Sequence, residues 1–123
     1  MTLKQFENQQ YLNIETFRKN GQGVKTPVWF VQEENTLLVW TFAGSGKVKR
    51  IRRDGLVQIT PSNAGGAPLG EWVKACASAD DSVETVQYME GLMRKKYGLM
   101  FYMFRGLAKL RRAKNAVLRI EIV

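Results

Sequence analysis

The segment Gly44-Ser45-Gly46-Lys47-Val48-Lys49-Arg50-Ile51-Arg52-Arg53 is the part of this sequence best equipped for chemistry. A glycine turn that opens a helix leaves backbone N–H groups at the helix N-terminus. A phosphate placed there gains hydrogen bonds, dipole attraction and the Ser45 hydroxyl together. Lys47 and Arg50, three residues apart, share a helix face and can converge on one anion. A solvated basic face is the competing reading, since charge runs are ordinarily surface, and the glycine turn tips the balance toward an anion site. Two better-known phosphate motifs are excluded. A P-loop needs glycine where Thr41 stands and Ser or Thr where Val48 stands, and a dinucleotide fingerprint needs glycine at Lys49.

A second group of residues suits a flat ring. Lys25-Thr26-Pro27-Val28-Trp29-Phe30 and Trp40-Thr41-Phe42 read as strands, and antiparallel neighbours can bring Thr26, Val28 and Thr41 to one surface. Apolar surface with a few hydroxyl and N–H groups is what an isoalloxazine ring needs. The bland alternative is that Trp29, Phe30, Trp40 and Phe42 are core. The loop Ser62-Asn63-Ala64-Gly65-Gly66-Ala67-Pro68-Leu69-Gly70 reads either as a flexible lip over a site or as a plain surface loop. Met89, Met93, Met100 and Met103, with Phe101 and Phe104, read as packing or subunit-interface residues.

Composition narrows the chemistry. The chain has no histidine and a single cysteine, Cys76, so the usual zinc and haem ligand sets, an intrachain disulfide and histidine-based triads are missing. Metal chemistry is not expected, no catalytic acid or base is assigned, and a cofactor would carry any redox step. The net charge of +8 points to an anionic partner. No apolar run reaches the ~20 residues that span a bilayer, and MTLKQFENQQ lacks a secretory apolar segment, so a cytoplasmic protein is expected.

The elements that must position these residues follow from periodicity. Residues 11–17 alternate, with Leu12, Ile14 and Thr16 on one face, and Asn20-Gly21-Gln22-Gly23 turns the chain into a second strand over 24–32. Pro27 places that strand at a sheet edge or bulge. A third strand runs over 36–42, and a basic helix follows with Val48, Ile51 and Leu56 facing inward. Strands over 56–61 and 71–79 come next. Asp81 is read as the N-cap of a helix with Glu84 completing a capping box, and Tyr97-Gly98 as its stop. Val83, Val86, Met89, Leu92, Met93 and Tyr97 form its apolar stripe, a short helix is expected within 99–112, and AVLRIEIV closes the chain as a strand. The result is a single α+β domain over residues 1–123, mainly antiparallel β, with six strands and about three helices.

In this order, YLNIETFRKNGQ, TPVWFV, TLLVWTFAGSGKVKRIRRD, VQITPSNAGGAPLGEWV, RKKYG and VLRIEI resemble the pyridoxamine 5′-phosphate oxidase-like split-barrel family, especially its short deazaflavin-dependent branch. The resemblance covers most of the chain. It implies a six-stranded split β-barrel, a homodimer with cofactor sites at the subunit interface, and two-electron transfer at a bound FMN or 8-hydroxy-5-deazaflavin coenzyme (F-420). By position it implies that Thr26, Pro27, Val28 and Trp29 line the ring, with Thr41 and Phe42 beside them. Ser45, Lys47 and Arg50 would clamp the phosphate, and Asn63 would contribute from the loop. Trp40 and Phe42 depart from the smaller or charged residues of many relatives. The C-terminal substrate-binding end of the pyridoxamine-oxidising members has no counterpart, so that substrate is not expected. Two other readings compete: flavin or tetrapyrrole binding without turnover, and nucleic-acid binding through the basic helix and residues 105–114.

Overall fold

The computed structural model describes residues 2–103 and 114–123. Six antiparallel strands, β1 (Tyr11–Phe17), β2 (Gly23–Glu33), β3 (Thr36–Phe42), β4 (Leu56–Ser62), β5 (Val73–Asp80) and β6 (Asn115–Ile122), close into a barrel in the order β1-β2-β3-β6-β5-β4. Helix α1 (Gly46–Arg53) follows β3 and helix α2 (Val83–Tyr97) follows β5. Residues 99–103 are helical, and the rest of the helix expected to residue 112 lies outside the described residues, as does Phe104. Among the described residues no helix is long and apolar enough to cross a membrane.

Alternation builds the inner core. Leu12 and Ile14 of β1, Val28 and Phe30 of β2, Ile59 of β4 and Leu118 and Ile120 of β6 meet inside the barrel, while Arg119 and Glu121 point out. β3 does not alternate, because both its faces are covered. Its Leu37 and Val39 join the inner core, whereas Leu38 and Trp40 pack outside, with Val117, against Met89, Met93 and Tyr97 of α2 and Phe101 beyond it. The unbroken run TLLVWTF records that double burial. Gly98, at φ 57°, ends α2 where a side chain would be strained.

Three local expectations are corrected, and one element is new. The N-cap of α2 is Ser82, whose hydroxyl accepts from the Thr85 N–H. Asp81 instead lies 3.7 Å from Arg52 and 3.4 Å from Lys114, while Asp80 accepts from the Ser82 N–H and the Thr85 hydroxyl. Leu56 and Val83 are exposed: Leu56 begins β4 on the face opposite buried Val57, and Val83 sits in the first turn of α2, ahead of the stripe that starts at Val86. The sequence patterns also gave no sign of a 3-10 helix at Thr2–Phe6, which sinks Phe6 into the inner core.

Candidate functional site

The register of β2 opens a cleft in the barrel. β2 pairs with β1 along Gly23 to Trp29, but with β3 only from Phe30↔Val39 to Glu33↔Thr36. Beyond that point β3 runs on to Phe42 paired with β6 on its other side. Residues 23–29 and 40–42 therefore face each other with no ladder joining them, and Pro27 sits where its missing N–H costs no β2–β3 rung.

A cleft of about 350 Å³ occupies this split, lined by Tyr11, Thr26, Pro27, Val28, Trp29, Trp40, Thr41, Phe42 and Lys47. Four aromatic side chains, two threonines and one cation thus line the same cleft. Trp29 is backed from outside by the Tyr97 ring, stacked at 4.4 Å with an interplanar angle of 8°, and Trp40 by Phe101, edge-on at 5.4 Å. The cleft has stiff apolar walls before anything enters it.

Lys47 is the charged member. It stands in the first turn of α1, is half-buried, and forms no salt bridge among the described residues. Burial and, next, the Arg50 guanidinium hold its ammonium below the ordinary lysine value. A desolvated cation repelled by its neighbour and lacking a carboxylate would be stabilised by an incoming anion.

Seven of the residues read from the sequence, Thr26, Pro27, Val28, Trp29, Thr41, Phe42 and Lys47, line this one cleft, and three do not. Ser45 caps α1, its hydroxyl accepting from the Val48 N–H at 3.4 Å. Arg50 donates through Nε to the buried Thr16 hydroxyl at 2.7 Å, and its guanidinium folds over Gly46, where an added Cβ would lie 2.8 Å from it. Burial, Arg18 and Arg53 all depress the Arg50 value, so these cations form a repelling cluster beside Lys47. Asn63 is spent on its own loop, its side-chain oxygen accepting from Gly65 and Ala67 N–H at 3.0 Å each.

That loop is pinned rather than loose. The Asn13 amide donates to the Gly66 carbonyl at 2.8 Å, Leu69 N–H donates to the Pro61 carbonyl at 2.7 Å, and Gln5 bonds both backbone groups of Glu71. Gly66, at φ 92°, lies against Pro27, so the loop forms a fixed rim beside the cleft. Tyr11 lines the cleft without having been among the sequence candidates. Its signal is the register Tyr11↔Trp29, which places the two on one face of the hairpin.

Neither a family model nor a curated protein matches the sequence. Solved structures do. A candidate pyridoxamine 5′-phosphate oxidase from Listeria innocua is 12% identical, with 98% of this chain and 89% of that chain covered at a TM-score of 0.66. A haem storage protein from Vibrio cholerae is 17% identical, with 98% and 86% covered at 0.69. An F420 reductase is 13% identical, with 98% and 92% covered at 0.64. At these identities the likeness shows the fold, the six-stranded split barrel of the pyridoxamine 5′-phosphate oxidase-like proteins.

Proposed function

We propose that this chain binds a flavin-type cofactor, FMN or the deazaflavin F-420, in the split of its barrel and serves as an oxidoreductase. The observation that carries the reading is the cleft itself: aromatic walls, two threonines and one desolvated lysine without a carboxylate. That donor set fits a planar ring ending in a phosphate, Trp29 and Phe42 offering ring surface and Lys47 a phosphate contact. When bound, such a ring supplies two-electron transfer to or from a small molecule. The protein's part is to hold the ring, exclude water from one side and neutralise the phosphate. An F420 reductase sharing this fold supports the ligand class.

The purified protein should take up FMN or F-420 at one ligand per chain, read by quenching of ligand fluorescence. If neither ligand shows saturable binding at high micromolar concentration, the flavin reading is wrong. A haem storage protein of the same fold favours a second reading, binding without turnover. A bound flavin that is reduced and reoxidised no faster than the free flavin with every candidate donor and substrate tried would select it. With no histidine in the chain, a tetrapyrrole would lack its commonest axial ligand.

The proposal includes a homodimer with the cofactor sites at its interface, in a cytoplasmic protein. A volume of about 350 Å³ is at the small end of the range for ligand pockets, so a second copy would complete the enclosure. Leu99, Met100, Tyr102 and Met103 expose apolar surface within five residues, a patch that a partner subunit would cover. Sedimentation at micromolar concentration should give a dimer, and a monomer would remove the shared site.

A further inference from the structure

The last turn of α2 reaches the seam between β1 and β2 at the point where the barrel splits. The β1–β2 ladder ends at Tyr11↔Trp29, and the next pair would join Gln10 to Phe30. A side chain stands in that rung. The Phe30 N–H donates to the Tyr97 hydroxyl at 3.0 Å, and that hydroxyl donates to the Gln10 carbonyl at 2.6 Å. The Phe30 carbonyl accepts from Lys96 Nζ at 2.7 Å and lies 2.9 Å from the Tyr97 hydroxyl. Two consecutive residues of α2 thus take both backbone groups that Phe30 would otherwise offer to β1.

The geometric effect is a spread. A direct ladder bond would hold N and O about 2.9 Å apart, whereas here two hydrogen bonds in series separate Phe30 N from Gln10 O. The pair next to this wedge, Tyr11 and Trp29, is the one whose side chains form a wall of the cleft. The Tyr97 ring lies flat on Trp29 and does not itself line the cleft. From outside, one residue therefore fixes both the spacing of the strands and the plane of the indole.

We infer that Tyr97 is the positioning residue of the cleft, its hydroxyl holding β1 and β2 apart beyond Tyr11↔Trp29 and its ring setting the orientation of Trp29 for a flat ligand. The inference rests on reading the cleft as a ring-binding site. Burial pushes the Tyr97 phenol above the ordinary tyrosine range, so it stays protonated and keeps donating to Gln10. Lys96 completes the arrangement by serving the Phe30 carbonyl, with its ammonium 3.7 Å from the centre of the Phe30 ring.

Tyr97→Phe keeps the ring and withdraws the hydroxyl. In the ligand-free protein the Phe30 amide and the Tyr11 and Trp29 ring resonances should shift together while the rest of the spectrum holds. FMN affinity should fall about 5- to 10-fold. Ile59→Val, an inner-core change away from the cleft, serves as a control of comparable thermal destabilisation. Equal FMN affinity in the two variants, or unmoved Phe30, Tyr11 and Trp29 signals, overturns the inference. If the wild-type protein binds no FMN, the flavin reading fails separately. The wedge is then decided by the ligand-free spectra: concerted shifts of Tyr11 and Trp29 uphold it, and their absence removes it.

Discussion

Phe6→Ala should destabilise the protein by about 3–5 kcal/mol, the usual cost of truncating a buried phenylalanine. Phe6 is 1% exposed, belongs to the inner core and meets Phe30 edge-on at 6.0 Å with an interplanar angle of 81°. Its 3-10 helix is anchored by the Gln5 bonds to Glu71, which hold the segment in place and limit collapse into the cavity that alanine would leave. Against the roughly 6–18 kcal/mol expected for a domain of this length, the loss is a large share. It should lower the melting temperature by roughly 10–20 °C, measured by circular dichroism at fixed protein concentration. A change below about 1 kcal/mol would mean that the first residues are not part of the cooperative unit. Because Phe6 packs on the Phe30 ring, the variant should also loosen β2 at the point within the strand where the cleft begins.

That segment was illegible in the sequence for a physical reason. MTLKQFENQQ shows neither a period of two nor of 3.6, and a single 3-10 turn has little intrinsic stability, so only tertiary burial of Phe6 and Leu3 defines it. The strands were legible because their burial alternates, as in Leu12 and Ile14 or Leu118 and Ile120. The cleft was legible only in its residue types. Thr26–Trp29 and Thr41–Phe42 could be named, but their separation depends on where the β2–β3 ladder stops, which is a register fact. The polar candidates divide for a related reason. Ser45, Arg50 and Asn63 each have a local backbone or side-chain partner that competes for them, a cap, the Thr16 hydroxyl and an Asx turn, whereas Lys47 has none among the described residues. Short polar side chains near turns often satisfy the chain itself. The same competition hid Ser82 behind Asp81 as the cap of α2, since either residue type suits an N-cap and only the geometry of the turn selects one.

Lys47→Ala should lower affinity for FMN by about 10- to 100-fold, corresponding to roughly 1.5–3 kcal/mol for a charge-assisted phosphate contact in a partly desolvated site. The fold should not suffer. Burial and Arg50 depress the folded-state value of Lys47, so near neutral pH keeping it charged in the folded chain costs stability, and that cost is relieved as pH rises past the lowered value toward the unfolded one. Alanine removes the cost at every pH, and the variant should melt at the same temperature or slightly higher. Binding carries the opposite sign. A phosphate favours the ammonium and raises its pKa, so wild-type affinity should fall as pH climbs through the lowered value, below the 10.5 of an ordinary lysine. Lys47→Ala should lack that alkaline limb and bind with one weak, nearly pH-independent affinity. Lys49→Ala, an exposed neighbour on the same helix that does not line the cleft, should leave FMN affinity within about twofold and serves as the charge-matched control. Titration of the three proteins with FMN and with F-420 between pH 7 and pH 10 separates the outcomes. If Lys47→Ala binds both ligands as tightly as the wild type, the phosphate does not sit at the start of α1, and the cluster of Arg18, Arg50 and Arg53 becomes the site to substitute next.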